Sequence, residues 1–131
     1  SAWKDGLIVS GVANAGNTEP ATVEVTGLSS ASKYNFTILA VRFGGSKAAR
    51  TSEYTLKGKN TIGPKEIRTG LKLGTNEGEY ATFEEVPYGE YITKFENVEP
   101  TADGKVVIEV VGLSGAATEG HLNALSIKQV Q

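Results

Sequence analysis

The sequence predicts an all-β fold, a two-sheet antiparallel β-sandwich formed by a single domain. Apolar and polar residues alternate with a period of two along the whole chain, and many alternating positions carry β-branched or aromatic residues. No window of about a dozen residues carries an apolar stripe with the 3.6-residue period of a helix. Turn-forming residues interrupt the alternation at regular spacing, which is typical of sandwiches. The chain of 131 residues has the length of one compact domain.

The first half of the chain holds four predicted strands, each bounded by turn-forming residues. The third is supported most strongly, because Tyr34, Phe36 and Ile38 share one parity that indicates a core face. Residues 14–20 and the Gly44-Gly45-Ser46 segment are the main breakers. The four strands are placed at residues 6–10, 21–26, 33–43 and 52–57.

The second half holds five predicted strands. The breakers here include Gly63-Pro64 and Pro87-Tyr88-Gly89. Asp103-Gly104 is the sharpest turn signal, because glycine adopts the positive φ that a tight hairpin requires. The five strands are placed at residues 66–73, 80–86, 90–97, 105–111 and 121–130.

Composition excludes several classes of function. The formal net charge is −2, with lysine and arginine scattered, so there is no basic field to attract a nucleic-acid backbone. No apolar stretch is long enough to insert in a membrane. The absence of cysteine excludes disulfides, thiolate zinc sites and thiol nucleophiles. Because the chain opens without methionine, we expect it to be excised from a larger multidomain protein.

A series of short motifs resembles one family of sandwich modules. The chain contains Gly27-Leu28, an aromatic strand, a Val41-Arg42 step, Arg50-Thr51 and a tyrosine strand that ends at Gly58. Residues 95–108 and 122–127 are similar to the last strands of the same modules. These motifs resemble the galactose-binding-like jelly rolls appended to secreted bacterial polysaccharide-degrading enzymes and esterases. The resemblance implies a jelly-roll topology, a secreted or cell-surface location, a polysaccharide or oligosaccharide ligand, and neighbouring domains as partners.

Residues 22–41 also resemble the late strands of a fibronectin type III domain. Leu28 and Tyr34 match the tyrosine-corner pattern, in which a tyrosine hydroxyl near a strand start bonds to the backbone just upstream. A fibronectin domain should nearly end after Val41, however, and most of this chain follows that position. The register of that family therefore does not fit the whole chain.

A carbohydrate site needs aromatic rings that stack on a sugar and planar polar groups that hydrogen-bond its hydroxyls. Trp3 lies outside any strong alternating pattern and is either a ligand platform or part of a satellite core. Tyr88 lies in a Pro-Tyr-Gly turn and is the best exposed tyrosine. Tyr91 shares the parity of Phe95, so it packs if that side is the core. The aromatic candidates are Trp3, Tyr80, Tyr88 and Tyr91.

Arg42 and Arg50 are the polar candidates. Arg42 continues the parity of the predicted core face of its strand, so its guanidinium must emerge at the strand end or meet a partner. Each arginine is therefore either half of a structural ion pair or a polar clamp at the rim of the sandwich. The family resemblance favours the rim.

Catalysis is not expected from this sequence. The only histidine, His121, has no Gly-x-Ser-x-Gly motif to accompany it and is most simply a surface or edge residue. Adjacent Glu84 and Glu85 point to opposite faces of a strand. Modules of the resembled family often carry structural calcium, and Asp5, Glu99 and Asp103 offer oxygen ligands. The chain lacks a calcium-binding loop motif, so no metal or cofactor is assigned.

The sequence therefore predicts a non-catalytic carbohydrate-binding module. The alternative is a sandwich with a structural, spacer or protein-interaction role, since the same fold serves all of these. Exposure discriminates between them. A binder should present at least two aromatic rings on one solvent-facing surface beside arginine or asparagine, a spacer should bury its rings, and an interaction domain should show a larger apolar patch on a sheet face.

Overall fold

The computed structural model describes residues 11–12, 20–40, 51–68, 92–112 and 119–131. These residues form strands and turns, and none of them is helical. The described strands are β1 (Gly11–Val12), β2 (Ala21–Val25), β3 (Tyr34–Leu39), β4 (Thr51–Lys57), β5 (Thr61–Arg68), β6 (Ile92–Val98), β7 (Val106–Gly112), β8 (Glu119–Gly120) and β9 (Ala124–Gln129).

The long strands form two antiparallel sheets. The four-stranded sheet has the order β2-β7-β4-β5, and the three-stranded sheet has the order β6-β3-β9. Short strands β1 and β8 form a separate antiparallel ladder. The prediction of an all-β, two-sheet antiparallel sandwich is confirmed. In the described part of the chain no helix is long and apolar enough to cross a membrane.

The core lies between the two sheets, as the alternation predicts. β3 alternates buried and half-buried residues along its length, and the three inward residues of β7 are buried in the same way. Burying one such valine, isoleucine or phenylalanine side chain stabilises the fold by about 1.5–3 kcal/mol. The largest side chains of this core, all fully buried, are Tyr54, Phe36, Phe95, Ile38, Leu56 and Ile108.

The strand predicted at residues 66–73 corresponds to β5, and its predicted start was wrong. Gly63-Pro64, expected to break the chain, lies inside β5, where residues 63–64 bulge between the pairs Leu56 with Ile62 and Tyr54 with Lys65. Proline cannot donate a ladder hydrogen bond, but β5 is an edge strand and has no neighbour on one side among the described strands. The strand therefore runs through the proline and begins at Thr61.

Two other expectations need correction. Gly104 has the predicted positive φ, 76°, but Asp103-Gly104 is not a hairpin turn, because β6 and β7 lie in different sheets. The last strand starts at Ala124 rather than His121. The strands predicted at residues 6–10 and 80–86 lie outside the described residues.

The tyrosine-corner contact is present. The Tyr34 hydroxyl accepts a hydrogen bond from the Ser29 backbone N–H at 2.9 Å, and Tyr34 is the first residue of β3. The contact joins the connection between β2 and β3 to the first residue of β3. It is a local feature of this crossing and leaves the predicted mismatch with the fibronectin register untouched.

The sandwich has two ends. The turn end carries the described connections between long strands, which are residues 26–33, 58–60 and 99–105. The loop end is the opposite one, where β2, β4, β6 and β9 begin and β3, β5 and β7 finish. The register places these termini together: Leu39 pairs with both Ile92 and Ala124 in the three-stranded sheet, and Ser52 pairs with Gly112 in the other.

Candidate functional site

The loop end receives the two longest connections between the described strands, which join β3 to β4 and β5 to β6. The segments 13–19, 41–50, 69–91 and 113–118 each start and finish at strand termini on this end. Connecting segments carry binding residues more often than the strands that support them, because the rigid scaffold fixes their ends. The strand termini of the loop end are therefore the described part of the candidate site.

All six predicted site residues lie outside the described residues: Trp3, Arg42, Arg50, Tyr80, Tyr88 and Tyr91. Their places in the chain still relate them to the fold. Both arginines belong to the connection between β3 and β4, and the three tyrosines belong to the connection between β5 and β6. Five of the six predicted residues thus belong to connections of the loop end, whereas Trp3 precedes β1.

Three of these residues are tied closely to described backbone. Arg50 directly precedes β4, Tyr91 directly precedes β6, and Arg42 follows Ala40 by two positions. β3 and β6 are paired neighbours, with Leu39 opposite Ile92 at the loop end. Adjacent strands lie about 4.8 Å apart, so β3 ends beside the start of β6.

The described aromatic rings belong to the core. Tyr34, Phe36, Tyr54 and Phe95 are all buried. Burial of Phe95 places the core on one face of β6; Tyr91 lies outside the described residues, so both alternatives for it stay open. In the described part of the sandwich, neither sheet face presents an exposed aromatic ring. An aromatic sugar platform can therefore come only from the remaining aromatic residues.

Those remaining aromatic residues are concentrated. The chain has one tryptophan, five tyrosines and four phenylalanines, ten in all. Five of these ten belong to the two connections between β3 and β4 and between β5 and β6: Phe43, Tyr80, Phe83, Tyr88 and Tyr91.

Two side chains of β4 hydrogen-bond the backbone of His121 at the loop end, and we call this pair of hydrogen bonds the clamp on His121. The Ser52 Oγ accepts a hydrogen bond from the His121 backbone N–H at 3.0 Å, and the Tyr54 hydroxyl donates to the His121 carbonyl. Ser52 and Tyr54 are fully buried. They share the inward parity of β4, so one strand holds both backbone groups of a residue that leads into β9.

Burial sets the chemistry of this clamp. It raises the pKa of the Tyr54 hydroxyl above the usual tyrosine value of 10.0, and the hydrogen bond with Ser52 opposes the rise only in part. Tyr54 therefore stays protonated at physiological pH and acts as a hydrogen-bond donor. His121, expected to be a surface or edge residue, is half-buried, with its Nε2 inside the protein.

Sequence reasoning missed Ser52 and Tyr54 as supports of the loop end. Their shared parity with Leu56 was visible, and a buried serine at an inward position indicates a nearby hydrogen-bond partner. The partner lies 69 positions along the chain, and no sequence pattern links the two segments.

Oxygen ligands suggested for calcium have other partners where the structure describes them. Glu99 pairs with Lys33 at 3.8 Å and with Lys59 at 3.6 Å. Asp103 accepts a hydrogen bond from the Thr101 hydroxyl, which lowers the pKa of that carboxyl. Asp5 lies outside the described residues. Within the described ranges, no three histidine or acidic side chains group as metal ligands.

No protein-family model, no curated protein and no solved structure matches this chain significantly. The resemblance to galactose-binding-like jelly rolls remains a prediction that rests on the motifs named above.

Proposed function

We propose that this chain is a non-catalytic carbohydrate-binding module of a secreted or cell-surface protein, and that it binds a polysaccharide or oligosaccharide at its loop end. One observation carries the proposal. Half of the aromatic residues and both candidate arginines belong to two connections that start and finish at this one end. Neighbouring domains of the parent protein would gain proximity to the glycan.

The residue types suit this ligand. A sugar ring offers an apolar face for stacking, and its paired hydroxyls accept the forked hydrogen bonds of a guanidinium. Arg42 comes three residues after the end of β3, and the connection that contains Tyr80 and Tyr88 ends on the neighbouring strand β6. An aromatic ring and a guanidinium can thus be supplied from adjacent strand ends, which is the combination that the ligand needs.

The clamp on His121 supports a preformed site. It joins β4 of one sheet to the segment entering β9 of the other, so the strand ends beneath the connections are held in one arrangement. A scaffold that is fixed before binding loses less entropy when a ligand arrives.

A jelly-roll topology is part of the proposal, and the strand order supports it. β4 and β5 form a hairpin within one sheet. Every other two long strands that follow one another along the chain lie in different sheets. A jelly roll interleaves eight strands between two sheets in this way. The long strands described here supply seven of those positions.

A structural or protein-interaction role is the second candidate. It is favoured by the burial of all four described aromatic residues and by the outer face of the four-stranded sheet. That face carries half-buried Val107 and Val111 among Thr55, Glu109 and Lys57. This pattern is that of an ordinary solvated sheet face, and a spacer domain requires nothing more.

The test is affinity electrophoresis of the chain through gels that contain a panel of plant and host polysaccharides. We expect retardation by one glycan class, with a Kd in roughly the micromolar to millimolar range, because each stacked ring adds on the order of 1 kcal/mol. Tyr88→Ala should weaken the retardation by about five-fold, and Arg42→Ala should weaken it by at least as much.

Lys128→Ala is the matched control for Arg42→Ala. It removes one positive charge from an exposed position on β9, away from the loop end, and should leave retardation unchanged. If no glycan retards the chain, or if Lys128→Ala and Arg42→Ala act equally, the proposal fails and the structural role takes its place.

A further inference from the structure

Both aspartates of the chain are followed by glycine: Asp5 by Gly6 and Asp103 by Gly104. At an Asp-Gly step the aspartyl side chain can react with the backbone, because glycine has no side chain to hinder the approach of its nitrogen. Asp5 lies outside the described residues. Asp103 lies in the connection between β6 and β7 at the turn end and is exposed to water. Asp103-Gly104 is therefore a candidate site of spontaneous modification.

The reaction in question is the formation of isoaspartate. The Gly104 nitrogen bonds to the Asp103 Cγ, and one water leaves, made from the carboxyl OH and the amide hydrogen. The resulting five-membered succinimide then takes up one water at either of its two carbonyl carbons. Hydrolysis at the main-chain carbonyl leaves the chain running through the Asp103 side chain, which adds one carbon to the backbone. Water is the only co-reactant.

Two groups must meet for this reaction, the Gly104 nitrogen and a neutral Asp103 carboxyl, and Thr101 contacts both. The Thr101 carbonyl accepts a hydrogen bond from the Gly104 N–H at 2.9 Å, and the Thr101 hydroxyl donates to the Asp103 carboxylate. The same hydroxyl lowers the pKa of that carboxyl, so less of it is in the neutral form that can lose water. Thr101 thus holds the two reacting groups in separate hydrogen bonds.

Thr101 is itself fixed by Lys105. The Thr101 N–H donates to the Lys105 carbonyl at 2.9 Å, and the Lys105 N–H donates to the Thr101 hydroxyl oxygen at 3.0 Å. A hydroxyl has one proton to donate, and here it is donated to Asp103 while the oxygen accepts from Lys105. Every polar group of Thr101 therefore has a partner within residues 101–105.

Gly104 is held against a second connection of the turn end. Its carbonyl accepts a hydrogen bond from the Leu28 N–H at 3.1 Å. A Cβ on Gly104 would lie 2.2 Å from the Leu28 carbonyl oxygen, so the backbone of the two connections is in close contact. Gly104 is also buried. Closing a succinimide would rotate the peptide unit of Gly104, and close packing opposes that rotation.

We propose that Asp103-Gly104 is a latent site of isoaspartate formation, and that Thr101 suppresses the reaction while the chain is folded. The extra backbone carbon of isoaspartate would displace Gly104 from Leu28, so the product is destabilised as well as the path that leads to it. The suppression is local, because the contacts that provide it lie within residues 101–105 and at Leu28. It does not depend on a ligand.

Peptide mapping of the full chain tests the proposal. The wild type and Thr101→Val are incubated at neutral pH and physiological temperature and then digested with trypsin, which releases residues 95–105 as one peptide. Its aspartate and isoaspartate forms are separated by reversed-phase chromatography. Thr101→Val removes the hydroxyl and keeps the shape of the side chain. We expect isoaspartate to form at least about tenfold faster in the folded variant, since a hydrogen bond to a charged group is typically worth such a factor.

Three controls separate the local role of Thr101 from general stability, with circular dichroism to verify that each variant is folded. Thr101→Ser keeps the hydroxyl and should retain the wild-type rate. Ser52→Ala removes a hydrogen bond at the loop end, so it lowers stability elsewhere and should leave the rate unchanged. The wild type unfolded in urea should react about as fast as a synthetic peptide of residues 95–105.

Three results would overturn the proposal. Equal rates in the folded wild type and the synthetic peptide would show that the turn does not suppress the reaction, and this comparison needs no substitution. A wild-type rate in folded Thr101→Val, or an equal acceleration in Thr101→Ser, would show that the hydroxyl has no part. Equal acceleration in Ser52→Ala and Thr101→Val would assign the suppression to global stability.

Discussion

Gly27 and Gly104 have nearly the same backbone conformation and very different surroundings. Their φ angles are 79° and 76°, a region that side-chain-bearing residues rarely adopt. A Cβ on Gly27 would meet no atom within 4 Å, whereas a Cβ on Gly104 would lie 2.2 Å from the Leu28 carbonyl oxygen. Leu28 also donates its N–H to the Gly104 carbonyl, so this approach joins two connections of the turn end.

Alanine at these two glycines should therefore have unequal effects. We expect Gly27→Ala to lower the free energy of unfolding by about 1 kcal/mol through the φ penalty alone. Gly104→Ala should lower it by about 3 kcal/mol or more, because the clash with backbone adds to that penalty. Urea denaturation measures both. Equal losses would show that the close approach at Gly104 is not rigid.

Tyr54 gives the protein a specific alkaline sensitivity. Burial raises the pKa of its hydroxyl in the folded state, so the unfolded state loses this proton first as the pH rises. The contribution of the Tyr54 hydroxyl to the free energy of unfolding is fully present below about pH 10. Above that pH the contribution falls, by up to about 1.4 kcal/mol per pH unit.

Tyr54→Phe tests this dependence. At pH 7 the variant should be less stable by about 1–3 kcal/mol, because the His121 carbonyl loses its donor. Between about pH 10 and pH 11 it should lose less stability than the wild type. Urea unfolding at pH 7, 10 and 11 gives both values. Parallel declines in the two proteins would mean that the hydroxyl titrates normally.

At the scale of elements, the parity of the central strands was predictable and the edge strand was not. β3 and β7 alternate without interruption, so their inward faces follow from periodicity alone. Gly63-Pro64 indicates a break, and only the position of β5 at a sheet edge allows the strand to continue. Position in a sheet is decided by tertiary contacts, which a local pattern does not contain.

The same edge strand carries an unfavourable pair. Glu53 of β4 and Glu66 of β5 are direct cross-strand partners, and like charges in such a pair are destabilising. Glu66→Lys should raise the free energy of unfolding by about 0.2–1 kcal/mol at low salt, with the gain reduced in high salt. Glu66→Gln, which only removes repulsion, should show a smaller gain. A loss of stability in both variants would show that Glu66 has a favourable role.

At the scale of the whole molecule, the sandwich class followed from the sequence, whereas the shared placement of the candidate site did not. The arginines and tyrosines could be named from residue type and local parity. That two connections start and finish at one end is a property of the strand order, because β3 and β6 are neighbours despite their distance along the chain.

The most direct test of the loop-end site is an amide chemical-shift map of the isotope-labelled chain, titrated with oligosaccharides from the polysaccharide panel. We predict shifts confined to the loop end, at residues such as Leu39, Ile92 and Gly112, with the turn-end segments 58–60 and 99–105 unchanged. Shifts centred on the turn end or on a sheet face, or no shifts with any glycan, would contradict carbohydrate binding at the loop end.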